Sequence, residues 1–271
     1  MDEVARASEV ARVAAERTSE LVDCVRDLNH DELLAPSALP EWNRLAIICH
    51  LRYGVTAILR MSRDALAGRE TSYYPAGRAR QRPTTLTPAP TEAPEDVIED
   101  WERVAHALDD EWASLDQSRW ATEVIEPRNN PDLGTIPLAR LALGRLTELD
   151  VHGTDLEIGF PDWSKVLVEV ALPMRLGWLS TRRTNHRRFD QSIRGSWLLA
   201  PNDGPSWIVS VDRERVDSRV ADESRDVPNA VIAGSSRDLL ALLLGRPRTR
   251  DLEITGDLRF GQSFDQAFPG P

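Results

Sequence analysis

Cysteine is scarce in this chain. Cys24 and Cys49 are the 2 cysteines among 271 residues, too few for a disulfide framework, so both are expected to be buried thiols in a reducing compartment. Positive charge is also short: 33 Lys and Arg against 44 Asp and Glu give a formal net charge of −11. That balance argues against a nucleic-acid partner, because phosphate binding needs a basic surface. The amino terminus, MDEVARASEVARVAAERTSE, is charged throughout and lacks the apolar stretch of a secretion signal. No apolar run is expected to approach the length of a membrane span, and there is no internal repeat. These absences predict a cytoplasmic protein with neither a membrane nor a nucleic-acid partner.

The composition that remains, 41% hydrophobic and 28% charged, is that of an ordinary globular protein. Its length favours two domains over one. Residues 3–29 place Val4, Ala7, Val10, Ala11, Ala14, Leu21, Val22, Val25 and Leu28 at helical spacing. Pro36 and Pro40 then break the chain, Asn43 offers an N-cap, and a second helix carrying His50 runs to Gly68. Residues 71–94 are proline-rich, have no helical period and are longer than an ordinary connector. A third helix spans Glu95 to Leu115, with Trp101 and Trp112 on its apolar side. A turn region around Pro127, Asn129, Asn130, Pro131 and Gly134 leads to a fourth helix, from near Pro137 to about Gly159. The expected fold is therefore a four-helix bundle over residues 1–160. After Pro161 the pattern changes. Residues 163–187 read as mostly helical with a break or kink at Pro173. SWLLA, SWIVSV, SRVA and NAVIAG read as strands, SSRDLLALLLGR as a capped helix and DLEITGD as a last strand. Residues 161–271 thus form a smaller α+β domain.

The chemistry concentrates in Arg145-Leu-Thr-Glu-Leu-Asp-Val-His-Gly-Thr-Asp-Leu156. On a helix Glu148 and His152, four residues apart, lie one above the other. If His50 on the second helix faces them, the three supply two imidazoles and a carboxylate, with one coordination position left for a ligand. That is the donor count of a catalytic zinc rather than a structural one. Each signal alone is weak: charged residues at this spacing usually form a solvated face, and a lone His on an apolar face is usually a hydrogen-bonded core residue. Together they gain weight, because polar groups on an apolar bundle face need partners and a shared cation provides them. Asp155 is a candidate acceptor for the second ring nitrogen of His152. Cys49, adjacent to His50, should point about 100° away around the helix. His30 beside Asp31 and Glu32, at a helix C-terminus, and His106 on the third helix read as surface residues. His186 joins Arg182, Arg183, Arg187 and Arg188 in a basic patch.

RLTELDVHGTDLEIGF, LPEWNRLAIICHL and, more loosely, LLLGR with a late ITGD resemble the mycothiol-dependent maleylpyruvate isomerase family. The resemblance implies a DinB-like metal-binding four-helix bundle followed by a sterol-carrier-like α+β domain. It implies zinc held by His50, Glu148 and His152, with water or the thiol of mycothiol in the fourth position. It also implies a site arginine near a tyrosine in the loop after the second helix. Tyr73, Tyr74, Arg78, Arg80 and Arg82 offer several registers there, with Arg80, Arg82 and Tyr74 the expected mycothiol contacts. After the histidine the family often continues with a small residue and Arg-Asn-Ala-Asp; this chain instead has Leu51-Arg52-Tyr53-Gly54-Val55-Thr56. The difference bears on the substrate more than on the metal.

Three functions follow. The first is a zinc-dependent mycothiol S-transferase acting on an electrophilic small molecule, in detoxification or in building a metabolite. The second is the isomerase, acting on a dicarboxylate that would want several arginines at the site. The third is a non-catalytic binding protein for an apolar molecule. The acidic net charge places the transferase ahead of the isomerase.

Overall fold

The structure, a computed structural model, describes residues 3–129, 133–180, 193–212, 215–222, 224–246 and 251–270. Asn130 and Pro131 of the expected turn, and the patch containing Arg182, Arg183, His186, Arg187 and Arg188, lie outside these residues. Four long helices dominate the first part of the chain: α1 (Ala7–Arg26), α3 (Arg44–Leu66), α5 (Pro94–Ala113) and α7 (Ala139–Asp155). Each buries an apolar stripe. Leu21, Ile47, Ile48, Leu51, Met61, Trp101 and Leu108 are among the side chains excluded from solvent, and each large apolar group buried this way contributes about 1.5–3 kcal/mol. Helices α1 and α3 each pack against both α5 and α7, so the four close into a bundle.

Local signals set several boundaries. Asn43 accepts a hydrogen bond from the Ala46 amide at 2.8 Å and caps α3. Gly68, with φ of 69°, follows the end of that helix. The short helix α2 (His30–Leu34) starts with a reciprocal capping box between Asn29 and Glu32. His30 therefore sits at a helix N-terminus, not at the C-terminus expected from the sequence. The proline-rich stretch contains the single turn α4 (Arg78–Gln81) and a 3₁₀ turn, Arg82–Thr85. Another short helix, α6 (Gln117–Trp120), precedes strand β1 (Glu123–Val124), which pairs antiparallel with β2 (Ile136–Pro137). Pro137 thus belongs to a strand, and α7 begins at Ala139. The strand claims Pro137 because the Leu138 amide bonds the Thr122 carbonyl at 2.8 Å and holds the chain extended there.

Helix α3 is long and apolar enough by length and composition to cross a membrane, contrary to the expectation that no run would be. However, 72% of its most apolar window is buried in the protein. It is the core helix of the bundle.

The chain divides into two compact units, residues 2–167 and 168–271. The division falls inside α8 (Lys165–Trp178), which contains Pro173 in its interior, later than the expected end of the bundle after residue 160. Residues 161–164 go with the first unit for a clear reason. The Arg17 guanidinium donates to the Pro161 and Asp162 carbonyls at 2.8 and 3.0 Å, and the Ser164 amide and hydroxyl bond Asp150 at 2.8 and 2.6 Å.

The second unit holds a five-stranded sheet in the order β5-β4-β3-β6-β7: β3 (Gly195–Pro201), β4 (Trp207–Asp212), β5 (Arg215–Val220), β6 (Ala230–Gly234) and β7 (Glu253–Gly256). β3 and β6 are parallel and the other pairs antiparallel. β3 alternates inward Trp197 and Leu199 with more exposed neighbours, as a strand with one covered face should. Helix α9 (Ser236–Leu243), capped by Ser235, packs on β3 and β6. Two short helices, α10 (Leu258–Gln262) and α11 (Phe264–Ala267), follow β7. Around Trp197 gather Phe260, stacked at 4.3 Å, with Phe264 and Phe268 edge-on. The architecture is a helical N-terminal unit followed by a sheet-bearing C-terminal unit.

Candidate active site

Helices α3 and α7 bring His50, Glu148 and His152 together, although 98 residues separate the first two. His50 Nε2 lies 2.9 Å and His152 Nε2 3.2 Å from the same Glu148 oxygen, Oε2. The three candidate ligand atoms lie within 4.8 Å of one another. His152 turns its other nitrogen, Nδ1, to Asp155 Oδ2 at 2.9 Å, the carboxylate–imidazole pairing that fixes a ligand ring and its tautomer. His50 has no such support: its Nδ1 is buried without a partner among the described residues. Packing holds that ring instead. Trp42 meets His50 edge-on at 5.5 Å and lies nearly parallel to His152 at 6.3 Å.

Protonation follows from this arrangement. Burial pushes the Glu148 carboxyl up, but the hydrogen bonds from His152 and His50 outweigh it and hold the group well below the usual carboxylate range. Burial pulls His152 down, yet Asp155 and Glu148 raise it to about 9. With both nitrogens facing carboxylates, the ring is an imidazolium at neutral pH until something displaces its proton.

The donor set fits a divalent cation. Two imidazole nitrogens and one carboxylate oxygen converge from two helices within 4.8 Å of one another, the donor types and number of a three-ligand zinc site. A cation there would satisfy the cluster without the imidazolium.

The wall around these residues comes from two loops. Trp42 precedes the α3 N-cap in a tight turn with Glu41 at φ 67°, a conformation costing on the order of 1–2 kcal/mol in a residue with a side chain. Ser37 compensates by donating to the Trp42 carbonyl at 2.9 Å. The Ala38 amide bonds Asp155 O at 2.8 Å, and Arg44 bonds Leu156 O at 2.9 Å, which ties this turn to the end of α7. Over the Trp42 ring lies the Arg82 guanidinium, 5.7 Å away. Arg82 also reaches the Tyr74 hydroxyl at 3.4 Å, while Tyr74 is buried and stacked on Tyr53 at 5.3 Å.

Arg82 and Tyr74 therefore come together, with Arg82 over the Trp42 ring that packs on both histidines, whereas Arg80 is exposed and makes no bond to a described residue. Arg78 lies over the Tyr74 ring at 5.6 Å. Cys49 is apart from the cluster. Burial raises its thiol to about 11, with Arg52 lowering it and Glu92 raising it. His106 is exposed.

Three residues beyond the expected set contribute. Trp42 stood in the sequence only as part of LPEWNRLAIICHL, just before an N-cap, with no role assigned to it. Arg145, on the same face of α7 as Glu148, is 2% exposed. It bonds Thr18 Oγ1 at 3.2 Å and Leu51 O at 3.5 Å, with no carboxylate in ion-pair contact among the described residues. Burial lowers its pKa to about 10, against the pull of Asp109 and Glu148, so it is charged at neutral pH. The third is Tyr73, one of several registers open in the sequence.

The family model for the mycothiol maleylpyruvate isomerase N-terminal domain matches residues 14–157. A crystal structure of the mycothiol-dependent maleylpyruvate isomerase superposes with a TM-score of 0.63 at 19% identity, over 93% of this chain and 92% of that one. A mutant of that enzyme with a histidine replaced by alanine gives a TM-score of 0.61 at 19% identity, over 90% and 89%. A search of curated proteins found no match. The solved structures share the fold, and the domain match covers more than half of the chain, so the protein belongs to the mycothiol maleylpyruvate isomerase family and is, by that membership, an enzyme of thiol-dependent chemistry.

Proposed function

We propose that the protein is a mycothiol-dependent isomerase that uses a divalent metal, zinc by its donor set, on an unsaturated keto dicarboxylate of the maleylpyruvate class. The observation that carries this reading is the convergence of two imidazole nitrogens on one Glu148 oxygen, at 2.9 and 3.2 Å. His50, Glu148 and His152 would hold the metal, and Asp155 would keep His152 oriented. A zinc bound there would supply positive charge that turns a thiol into a thiolate near neutral pH. Arg82, steadied by Trp42 and Tyr74, is placed to meet an anionic group of the thiol or the second substrate. The reaction balances without a net proton. The thiolate forms an S–C bond as the C=C pair moves to the conjugated carbonyl oxygen. The former double bond rotates, the pair returns, and the S–C bond breaks.

S-transfer to another electrophile is a second reading, because it shares the first step and differs in protonating and releasing the adduct. The exposed position of Arg80 favours it, since a doubly anionic substrate would want more cations at the site than Arg82 alone provides from this loop. The test is to incubate zinc-loaded protein with mycothiol or dithiothreitol and either maleylpyruvate or an alkylating electrophile, following products by mass spectrometry. Fumarylpyruvate formed without thiol loss, and faster with mycothiol, is the expected result. A stable thiol adduct would move the assignment to the transferase. Absence of thiol-dependent turnover with every electrophile would overturn both and leave a binding protein.

A further inference from the structure

Tyr73 is anchored at both backbone groups. Its amide donates to Glu126 Oε1 at 3.2 Å, and its carbonyl accepts from Tyr53 Oη at 2.7 Å and from Arg60 at 3.3 Å. Glu126 is itself buried and held by the Gly134 amide at 2.7 Å. The ring packs edge-on against Tyr53 and Tyr74 at 5.7 and 4.9 Å. Everything about this tyrosine is fixed except its hydroxyl, which bonds no described residue.

That hydroxyl abuts Gly54, where a Cβ would stand 3.1 Å from it. Gly54 lies one turn after His50 on the same face of α3. Glycine inside a helix forgoes about 1 kcal/mol relative to alanine, and here its missing side chain admits the oxygen. The opposite face is equally informative. Arg145 sits one turn from Glu148 on α7 and bonds Leu51 O, next to His50 along α3. Arg145 and the Tyr73 hydroxyl thus lie about one helical turn from the candidate ligands on α7 and α3, near enough for the guanidinium to act on the hydroxyl. Burial pushes the hydroxyl well above its usual range, Glu148 adds to the push and Arg145 opposes it. The group is a neutral donor at any working pH. Tyr73 is half-buried, so its hydroxyl, without a partner among the described residues, is available to a ligand; phenylalanine would fill the same space without that oxygen.

We infer that the Tyr73 hydroxyl is a catalytic hydrogen-bond donor to the oxygen that becomes negative when the thiolate adds to the second substrate, with Arg145 as the positioning charge that keeps this floor of the site electropositive. This rests on the isomerase reading and deepens it. The electron pair displaced from C=C comes to rest on the carbonyl oxygen, Tyr73 donates to that oxygen without losing its proton, and the bond weakens as the pair returns. A fixed donor aimed at developing charge is the arrangement with the largest effect on such a step.

Tyr73→Phe keeps the ring and removes the oxygen. Gly54→Ala keeps the oxygen and moves it, while strengthening the helix. With zinc content and melting temperature as wild type, each variant should retain KM within a few-fold, and kcat should fall roughly 10²–10³-fold for Tyr73→Phe, less for Gly54→Ala. A second readout needs no turnover: calorimetric binding of oxalate, a planar mimic of a keto-acid enolate, should weaken about tenfold or more in Tyr73→Phe. Wild-type kcat and wild-type oxalate affinity in Tyr73→Phe would overturn the inference. If the wild type turns nothing over but loses oxalate binding with the hydroxyl, the isomerase reading fails and the donor site stands.

Discussion

Single residues in this bundle carry charge where the surroundings resist it, and Asp109 shows the consequence for stability. Burial raises its carboxyl from 3.8 to about 6, with Arg145 and His106 only partly offsetting the rise. Between those values the folded chain binds more protons than the unfolded one, so stability falls as pH rises through that window and stays lower above it. Asp109→Asn should therefore melt higher than wild type near neutral pH and at the same temperature near pH 4. Thermal unfolding at the two pH values checks this; an equal gain at both would mean that the ionised carboxylate is not the cause.

At the scale of elements, α7 does two jobs on two faces. One face presents Arg145, Glu148 and His152. The other holds Asp150, which is fully buried and pairs with Arg17 of α1 and with Ser164 beyond the helix. Arg17 also lies over the Phe160 ring at 4.0 Å, and Gly153 leaves the space that this ring fills. The result is a clamp that joins α1, α7 and the strap that follows it. Removing one partner of a buried pair strands the other, at a cost of about 3–5 kcal/mol. Asp150→Ala should lose stability on that scale in denaturant unfolding, and a matched Arg17→Met, Asp150→Leu double variant should recover much of it. A loss below about 1 kcal/mol in the single variant would show that the pair is already screened by water.

For the whole molecule, the metal is expected to add stability rather than create the fold. The bundle has its own apolar core of Leu21, Ile47, Leu51, Trp101 and Leu108. A ligand that binds only the folded state adds RT ln(1 + [L]/Kd), roughly 4 kcal/mol at a thousandfold excess over Kd. Chelation should therefore lower the melting temperature and leave a cooperative helical protein. Metal uptake should also tighten as pH rises toward 9, because His152, held at about 9, must release its proton to bind. Circular dichroism and calorimetry test both statements. Melting unchanged by complete metal removal, or pH-independent affinity, would put the cation elsewhere.

The sequence by itself determined what depends on neighbours along the chain. Helical periods marked α1, α3, α5 and α7. Asn43 and Ser235 announced their caps, and Glu148 and His152 shared a face because four residues make about one turn. His50 was legible as a polar residue on an apolar stripe that needed a partner. The family of the chain was readable in these same segments. Tertiary structure decided the rest, because it rests on contacts between distant segments. The meeting of His50 with Glu148 requires α3 and α7 to pack. Which of three loop arginines lies against Trp42 was open in the sequence, and only packing shows that Arg82 sits over that ring and reaches Tyr74 while Arg80 is exposed. Pro137 reads as a helix start until Thr122 claims the next amide for a strand, and the bundle ends later than expected because Arg17 and Asp150 hold residues 161–164. Arg145 stood in the sequence as the start of the motif around Glu148, and Tyr73 as one of several loop candidates. Only packing shows that one is a buried cation and the other a hydroxyl resting on Gly54, because burial belongs to the assembled bundle and not to any single segment.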